Sequence, residues 1–433
     1  MAQTRSRYRW FVVFVFFLFV LLHQADKLLI GPLTTDIMET FNINEAQMGA
    51  VSTAALVVAA IFYVLWGYLY DRFSRSRLLA LASFIWGSTT WLNALAPNYS
   101  TFLATRASTG VDDASYPGIF SLLSDYFGPR LRGKVYGLIQ VAQPIGFMMG
   151  TLLAINLSGA MGWRSVFFIT GSAGILVAAL IFFGVREPVR GQAEPELAGL
   201  EDLSSTKINW GVVKGLLKKP SFLVLLSQGF FGSFPWQVLV FWFFRYLEVE
   251  RGYTPGEVQI SMLIAIVFLS IGYFLGGGMG DFFFRRTPRG RVLTSMVGVL
   301  AGAVFLALLL ILPTADGKLS LPLLALMGLT MSIASPNVIA TVQDVTEPEV
   351  RGTAQSVMSL ADTAGSALAP LLTGLIAVSY SLHAAILTIC ISTWLLCAVL
   401  FGVTAIFIPG DVARLRQEME ARAKAERVEA AGA

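Results

Sequence analysis

Asp26 and Lys27 stand together in one apolar run of the chain, Arg106, Asp112 and Asp113 in another, and Asp362 alone in a third. A charge at the centre of a bilayer costs at least about 2.5–3.5 kcal/mol, so such residues are functional candidates by default. An acid whose cationic partner is alternately near and distant can take up and release a proton, and a buried guanidinium can hold a carboxylate or an anionic ligand. Counted along helices, Asp26 lies about 24 Å from the start of the first run and Arg106 about 9 Å from the opposite start of the fourth, a similar depth.

Asp113 follows Arg106 by seven residues and shares its face, but the two are about 10 Å apart along the axis, and a helical Arg leans away from residues that follow it. Arg106 is therefore expected to meet Asp26 or an anionic group of a ligand, while Asp113 carries a coupled proton. Asp112, rotated about 100° from Asp113, either shares that proton or forms a polar contact between helices. Lys27 reads as a partner for an acid or a ligand contact, and His23, one turn from Asp26, as a relay or a polar neighbour. Tyr116, Gln143, Gln237 and Asp362 complete the candidate substrate contacts, with Asp362 equally readable as an interhelix hydrogen bond. A static network that only orients the helices is the alternative for the whole set.

The elements that must position these residues are membrane helices. Of 433 residues 55% are hydrophobic and 13% charged, about half the charge of a soluble domain. The apolar blocks approach the roughly 20 residues that span a bilayer. They predict twelve helices near 10–36, 46–70, 77–96, 100–125, 133–160, 163–185, 221–247, 257–281, 289–313, 319–344, 350–379 and 383–408. With the N-terminus cytoplasmic, 25 of the 31 Lys and Arg fall on the cytoplasmic side, as the positive-inside bias requires. Both termini are then cytoplasmic. The first run follows Arg5, Arg7 and Arg9 as a signal peptide would, but no small-residue cleavage site follows it, so it is read as an uncleaved helix. The expected organisation is an all-α integral membrane protein with two pseudo-symmetric six-helix bundles, 1–190 and 221–410, a linker at 191–220 and a tail at 411–433.

Cys390 and Cys397, seven apart on one helix, are about 10 Å from each other and read as inert thiols. No Cys/His cluster, phosphate loop or nucleophile–base pair indicates a metal, another cofactor or an enzyme. The expected partners are protons, the lipid bilayer and a small amphipathic or lipid substrate, with no nucleic acid and a monomeric state. Short loops favour a prokaryotic inner membrane.

A shift of 219 residues overlays Asp125, Pro129, Arg132 and Gly133 on Asp344, Pro348, Arg351 and Gly352, and pairs Pro117 with Pro336. A nearby shift pairs Gly67 and Asp71 with Gly277 and Asp281. Two homologous halves, the build of secondary transporters, follow. The repeated acids and arginines sit at cytoplasmic helix ends, where they can latch helix ends together; the expected gate comprises Gly67, Asp71, Arg72, Arg75, Arg77, Asp125, Arg132, Asp281, Asp344 and Arg351. At the same shift Arg106, Asp112 and Asp113 face Ala325, Met331 and Ser332, so the membrane charges belong to the first half only.

The run Gly67-Tyr68-Leu69-Tyr70-Asp71-Arg72-Phe73-Ser74-Arg75-Ser76-Arg77 resembles the loop signature of the major facilitator superfamily, and Arg106 to Ala114 is similar to its fourth-helix signature. Within it, Asp26-Lys27, the Arg106–Asp113 segment and Arg186-Glu187-Pro188-Val189-Arg190-Gly191 resemble the Spinster lipid transporters. The resemblance implies alternating access with proton-coupled movement of a lysophospholipid or sphingoid-like substrate, and coupling roles for Asp26, Arg106 and Asp113. That family usually has Glu at the place of Asp113 and Gly at that of Asp112. Small organic anions or drugs are the alternative substrates; a passive scramblase or a transporter-derived sensor is the alternative of another class.

Overall fold

In the computed structural model the protein is all helix. Residues 2–127, 129–189, 215–312, 317–346 and 351–432 are described; within helices the side chains of 2–6, Val64, Asp71, 129–134, 317–318, 351–353, Arg416 and 418–432 are not. The helices are α1 (Ala2–Lys27), α2 (Thr34–Phe41), α3 (Glu45–Arg72), α4 (Arg75–Leu95), α5 (Tyr99–Ser108), α6 (Gly110–Asp113), α7 (Pro117–Tyr126), α8 (Pro129–Met161) and α9 (Trp163–Gly184). They continue with α10 (Pro220–Arg245), extended by a π-turn at Tyr246–Glu250, then α11 (Pro255–Phe284), α12 (Gly290–Ile311), α13 (Gly317–Met331), α14 (Ala334–Asp344), α15 (Arg351–Ser379) and α16 (Leu382–Gly432). Eleven helical stretches among the described residues are long and apolar enough to cross a membrane. Both cysteines are buried and unpaired.

The span expected at 100–125 is the one that is not continuous, because α5, α6 and α7 divide it. Pro117 has no N–H to give the preceding turn and occupies the first position of α7, where that lack is harmless. The chain between is held by tight bonds, Thr109 N–H to the Arg106 carbonyl at 3.2 Å and Ser115 N–H to the Asp112 carbonyl at 2.9 Å. Carbonyls freed by the break must be satisfied away from water. Two aromatic side chains of α3 do so: the Trp66 indole N–H donates to the Val111 carbonyl at 2.6 Å, and the Tyr70 hydroxyl to that of Ser115 at 2.8 Å. The broken helix lies hard against α3 at Gly110, where an added Cβ would stand 2.1 Å from the Ala55 carbonyl oxygen. Gly110→Ala is thus expected to lower the thermal stability of the detergent-solubilised protein by several degrees, the scale of an overpacking penalty of about 1–3 kcal/mol. An unchanged melting curve would show that α3 and α6 part without loss.

The second half repeats the break, with α13 and α14 separated at Ser332 and Ile333 and Pro336 in the first turn of α14. The break is duplicated although the charges are not.

The first helix ends at Lys27, nine residues short of the predicted 36, because Gly31-Pro32 turns the chain before it resumes as α2. Pro144 does not interrupt α8, which runs through it from Pro129 to Met161.

The chain forms two compact units, Met1–Thr206 with Gln237–Ile260 and Ala367–Ala385, and Lys207–Trp236 with Ser261–Ser366 and Ile386–Ala433. Four helices, α10, α11, α15 and α16, contribute to both units. The expected linker at 191–220 lies largely outside the described residues. In the first unit α1 packs on α8 and α9, and α4 runs along α9. Their shared core includes Phe16, Phe19, Trp86, Leu122 and Phe127, all buried.

Candidate functional site

His23 and Lys27 are one turn apart on α1 and therefore project from one face, toward the short helix α6. His23 Nε2 lies 2.8 Å from Asp112 Oδ2 and 3.6 Å from Asp113 Oδ1. Lys27 Nζ lies 3.2 Å from the same Asp113 Oδ1. The four side chains form a continuous row: Asp112, His23, Asp113, Lys27. Its inner end is dry, with His23 and Asp112 buried, whereas the Lys27 side chain is 36% exposed. Phe19 stacks on the imidazole at 5.6 Å and Trp86 meets it edge-on at 5.2 Å. Asp112 Oδ1 and His23 Nδ1 are buried and have no hydrogen-bond partner among the described residues. In low dielectric an orphaned pair of this kind is costly, and such atoms mark places where a proton or ligand is taken up.

Asp26 is on neighbouring positions of the same helix but faces elsewhere, since each residue turns the helix by about 100°. Its Oδ2 accepts from the Trp86 indole N–H at 2.9 Å and the Thr90 hydroxyl at 3.0 Å, and its Oδ1 from the Thr170 hydroxyl at 2.5 Å. Three neutral donors on α4 and α9 thus hold the carboxylate, and among the described residues it has no ion pair. The expected Arg106–Asp26 contact is not formed. Arg106, also buried, donates from Nη2 to the Lys27 carbonyl at 3.3 Å. That carbonyl ends α1, where no intrahelical donor remains, and a guanidinium suits the negative end of the helix dipole. Arg106 therefore caps α1 and fixes the backbone that carries Asp26 and Lys27.

The other candidates are scattered. Tyr116 accepts from Gln24 Nε2 at 3.3 Å and is 5.8 Å from the His23 ring, so it borders the charge cluster. Gln143 on α8 is half-buried. Gln237 donates to Ser52 at 3.4 Å within the first unit. Asp362 belongs to the second unit, where it lines a cavity.

Of the expected gate residues, Arg75 is the centre of a network inside the first unit: 2.6 Å to Asp125, 2.8 Å to Glu187 and 3.0 Å to the Ser121 carbonyl. In the second unit Arg291 pairs with Asp281 at 2.6 Å and also with Asp344. Each arginine begins the third helix of its half and reaches the acid that ends the fourth. Arg72 lies over the Tyr68 ring at 4.4 Å, Arg77 is exposed, and Gly67 has open space beside it. The side chains of Asp71, Arg132 and Arg351 lie outside those described.

Sequence reasoning missed Trp86, Thr90 and Thr170, whose types are ordinary in apolar helices, and Arg291, which a shift of 216 residues would have paired with Arg75. Ligating atoms of His23, Asp112 and Asp113 all lie within 4.8 Å of one another, a spacing open to a metal ion, but the Lys27 ammonium already supplies the positive charge at Asp113.

The sequence profile of the Major Facilitator Superfamily matches residues 15–361 and 289–427. The chain is 26% identical over 392 residues to protein spinster of Drosophila melanogaster, covering 87% of this chain and 63% of that protein. It therefore spans less than two thirds of that relative's length. It is 27% identical over 382 residues to the cis,cis-muconate transport protein of Acinetobacter baylyi, covering 86% of this chain and 90% of that one. The fold matches the crystal structure of a bacterial homologue of the human lysosomal transporter Spinster, in an inward-facing and unoccupied conformation, with a TM-score of 0.78 at 19% identity over 95% of this chain and 98% of that one. The superfamily profile matches most of the chain, so the chain belongs to the major facilitator superfamily and is a multi-pass membrane protein similar to the Spinster proteins.

Proposed function

We propose that the chain is a proton-coupled secondary transporter that moves an amphipathic, lipid-like substrate by alternating access across a prokaryotic inner membrane, with both termini cytoplasmic. The observation that carries the reading is the buried Asp112–His23–Asp113–Lys27 chain, with unpartnered atoms at Asp112 Oδ1 and His23 Nδ1. Lys27 holds Asp113 at 3.2 Å, which leaves the Asp112–His23 pair, with its unpartnered atoms, as the place of the exchangeable proton. The sequence placed that proton on Asp113, with Asp112 either sharing it or forming a polar contact. Asp26 and Arg106 act as positioning residues. The Arg75 and Arg291 networks hold the helix ends of their own halves while the halves move.

Similarity to the Spinster proteins supports a lysophospholipid or sphingoid-like substrate. Similarity to the muconate transport protein, which this chain covers over 90% of its length, favours a second reading, a small organic anion. Purified protein in liposomes distinguishes them. Under an imposed pH gradient a labelled lysophospholipid is expected to accumulate and labelled muconate is not. Accumulation of muconate alone would select the second reading, and equilibration of lipid without accumulation would sink the proton coupling in favour of a scramblase.

A further inference from the structure

The second unit carries a half-open cavity of about 310 Å³, the size of a small-ligand site. Its lining includes the aromatic side chains of Trp236, Tyr273 and Trp394, the carboxamides of Gln228 and Gln355, and Asp362. Asp362 is the one charged residue of that lining, has no ion pair or hydrogen bond among the described residues, and is exposed. It lies about 12 Å along α15 from Ala354, well inside the span Ala354–Ser379. A solitary carboxylate at such depth needs either a counter-ion or water.

The surroundings are shaped to keep that carboxylate in place. Gly229 of α10 faces it so closely that an added Cβ would stand 2.4 Å from Asp362 Oδ1. Asp362 is the one charge among neutral lining groups, so it repels an anion and attracts a cation that brings its own N–H groups, and the aromatic side chains of the lining favour the same cation and cover its apolar body.

We propose that this cavity is a binding site for a primary ammonium group carried on an apolar or aromatic body, with Asp362 as its counter-ion and the acceptor of its N–H donors. The inference rests on the transport reading above and names the headgroup of the substrate. It places recognition in the second unit and proton exchange in the first.

The probes are 2-phenylethylamine, charged at pH 7, its uncharged analogue 2-phenylethanol, and the N,N,N-trimethyl derivative, which keeps the charge and loses the donors. Binding to the full-length protein in detergent is followed by saturation-transfer NMR and thermal shift, with no pH gradient present. The amine is expected to bind saturably and at least tenfold more tightly than the alcohol, with the trimethyl derivative between them. Asp362→Asn is expected to lower affinity for the amine at least tenfold and leave that for the alcohol unchanged. Gly229→Ala, which pushes the carboxylate aside without removing it, is expected to act in the same direction. Equal affinity of wild type and Asp362→Asn for the amine, or no saturable binding to wild type, overturns the site. Either result can coexist with pH-driven accumulation of another substrate in liposomes, which would leave the transport reading standing; loss of accumulation with the amine still bound would remove the coupling and keep the site.

Discussion

Asp112→Asn is expected to abolish accumulation driven by a pH gradient while leaving exchange of substrate across the membrane. One proton moved per substrate across one pH unit is worth about 1.4 kcal/mol, so wild type can reach a ratio of about tenfold, and the variant should fall to a ratio near one. Asparagine keeps the shape of the side chain and its hydrogen bond to the His23 ring, 2.8 Å away in the native protein, but cannot take up the proton. His23→Gln should act in the same way, because the proposed proton is shared between the two side chains. Asp113→Asn is expected to differ. It leaves Lys27 without its 3.2 Å partner, so it should weaken folding or substrate exchange as well as coupling, and Lys27→Met in the same chain should restore part of the loss. Wild-type accumulation by Asp112→Asn, measured with labelled substrate in liposomes, would return the proton to Asp113 or remove it from the cluster altogether.

The second large effect is expected at Arg75. Its side chain is 5% exposed and meets Asp125, at 9%, and Glu187, at 28%. Arg75→Ala leaves two carboxylates near each other with their cation gone, and breaking a buried pair from one side costs about 3–5 kcal/mol. Lysine should recover only part, since one ammonium cannot match the forked contacts of a guanidinium to two acids and a carbonyl. Arg291 holds the corresponding place in the other half, but it is 15% exposed and its partner Asp281 is 59% exposed. Arg291→Ala is therefore expected to lose less, toward the ~1 kcal/mol or less of exposed pairs. Thermal unfolding of both variants in one detergent compares them directly; equal losses would mean that the difference in burial does not govern these networks.

The two latches show how far the repeat could be read. Equal spacing of Asp125 and Asp344 from their Pro and Arg neighbours was visible in the chain, and both acids do pair with an arginine of the third helix in their own half. The choice of arginine was not visible, because the acid's reach depends on how two helix ends meet. Of Asp26, Arg106 and Asp113, which the resemblance named, two have partners other than those expected.

The sequence by itself determined the membrane class, the long apolar helices, the duplication and the placing of Lys27, Arg106, Asp112 and Asp113 in the first half. These follow from composition, block length and spacing, which a bilayer reads directly because hydrocarbon tolerates only apolar, internally bonded helices. The tertiary structure alone decided who meets whom. A rotation of about 100° per residue turns Asp26 toward Trp86, Thr90 and Thr170 and leaves His23 and Lys27 to the acids of α6. The break at Gly110 and Pro117 brings those acids within reach, and the cavity around Asp362 draws its walls from every helix from α10 to α16. No periodicity within one helix records the angle at which another helix crosses it.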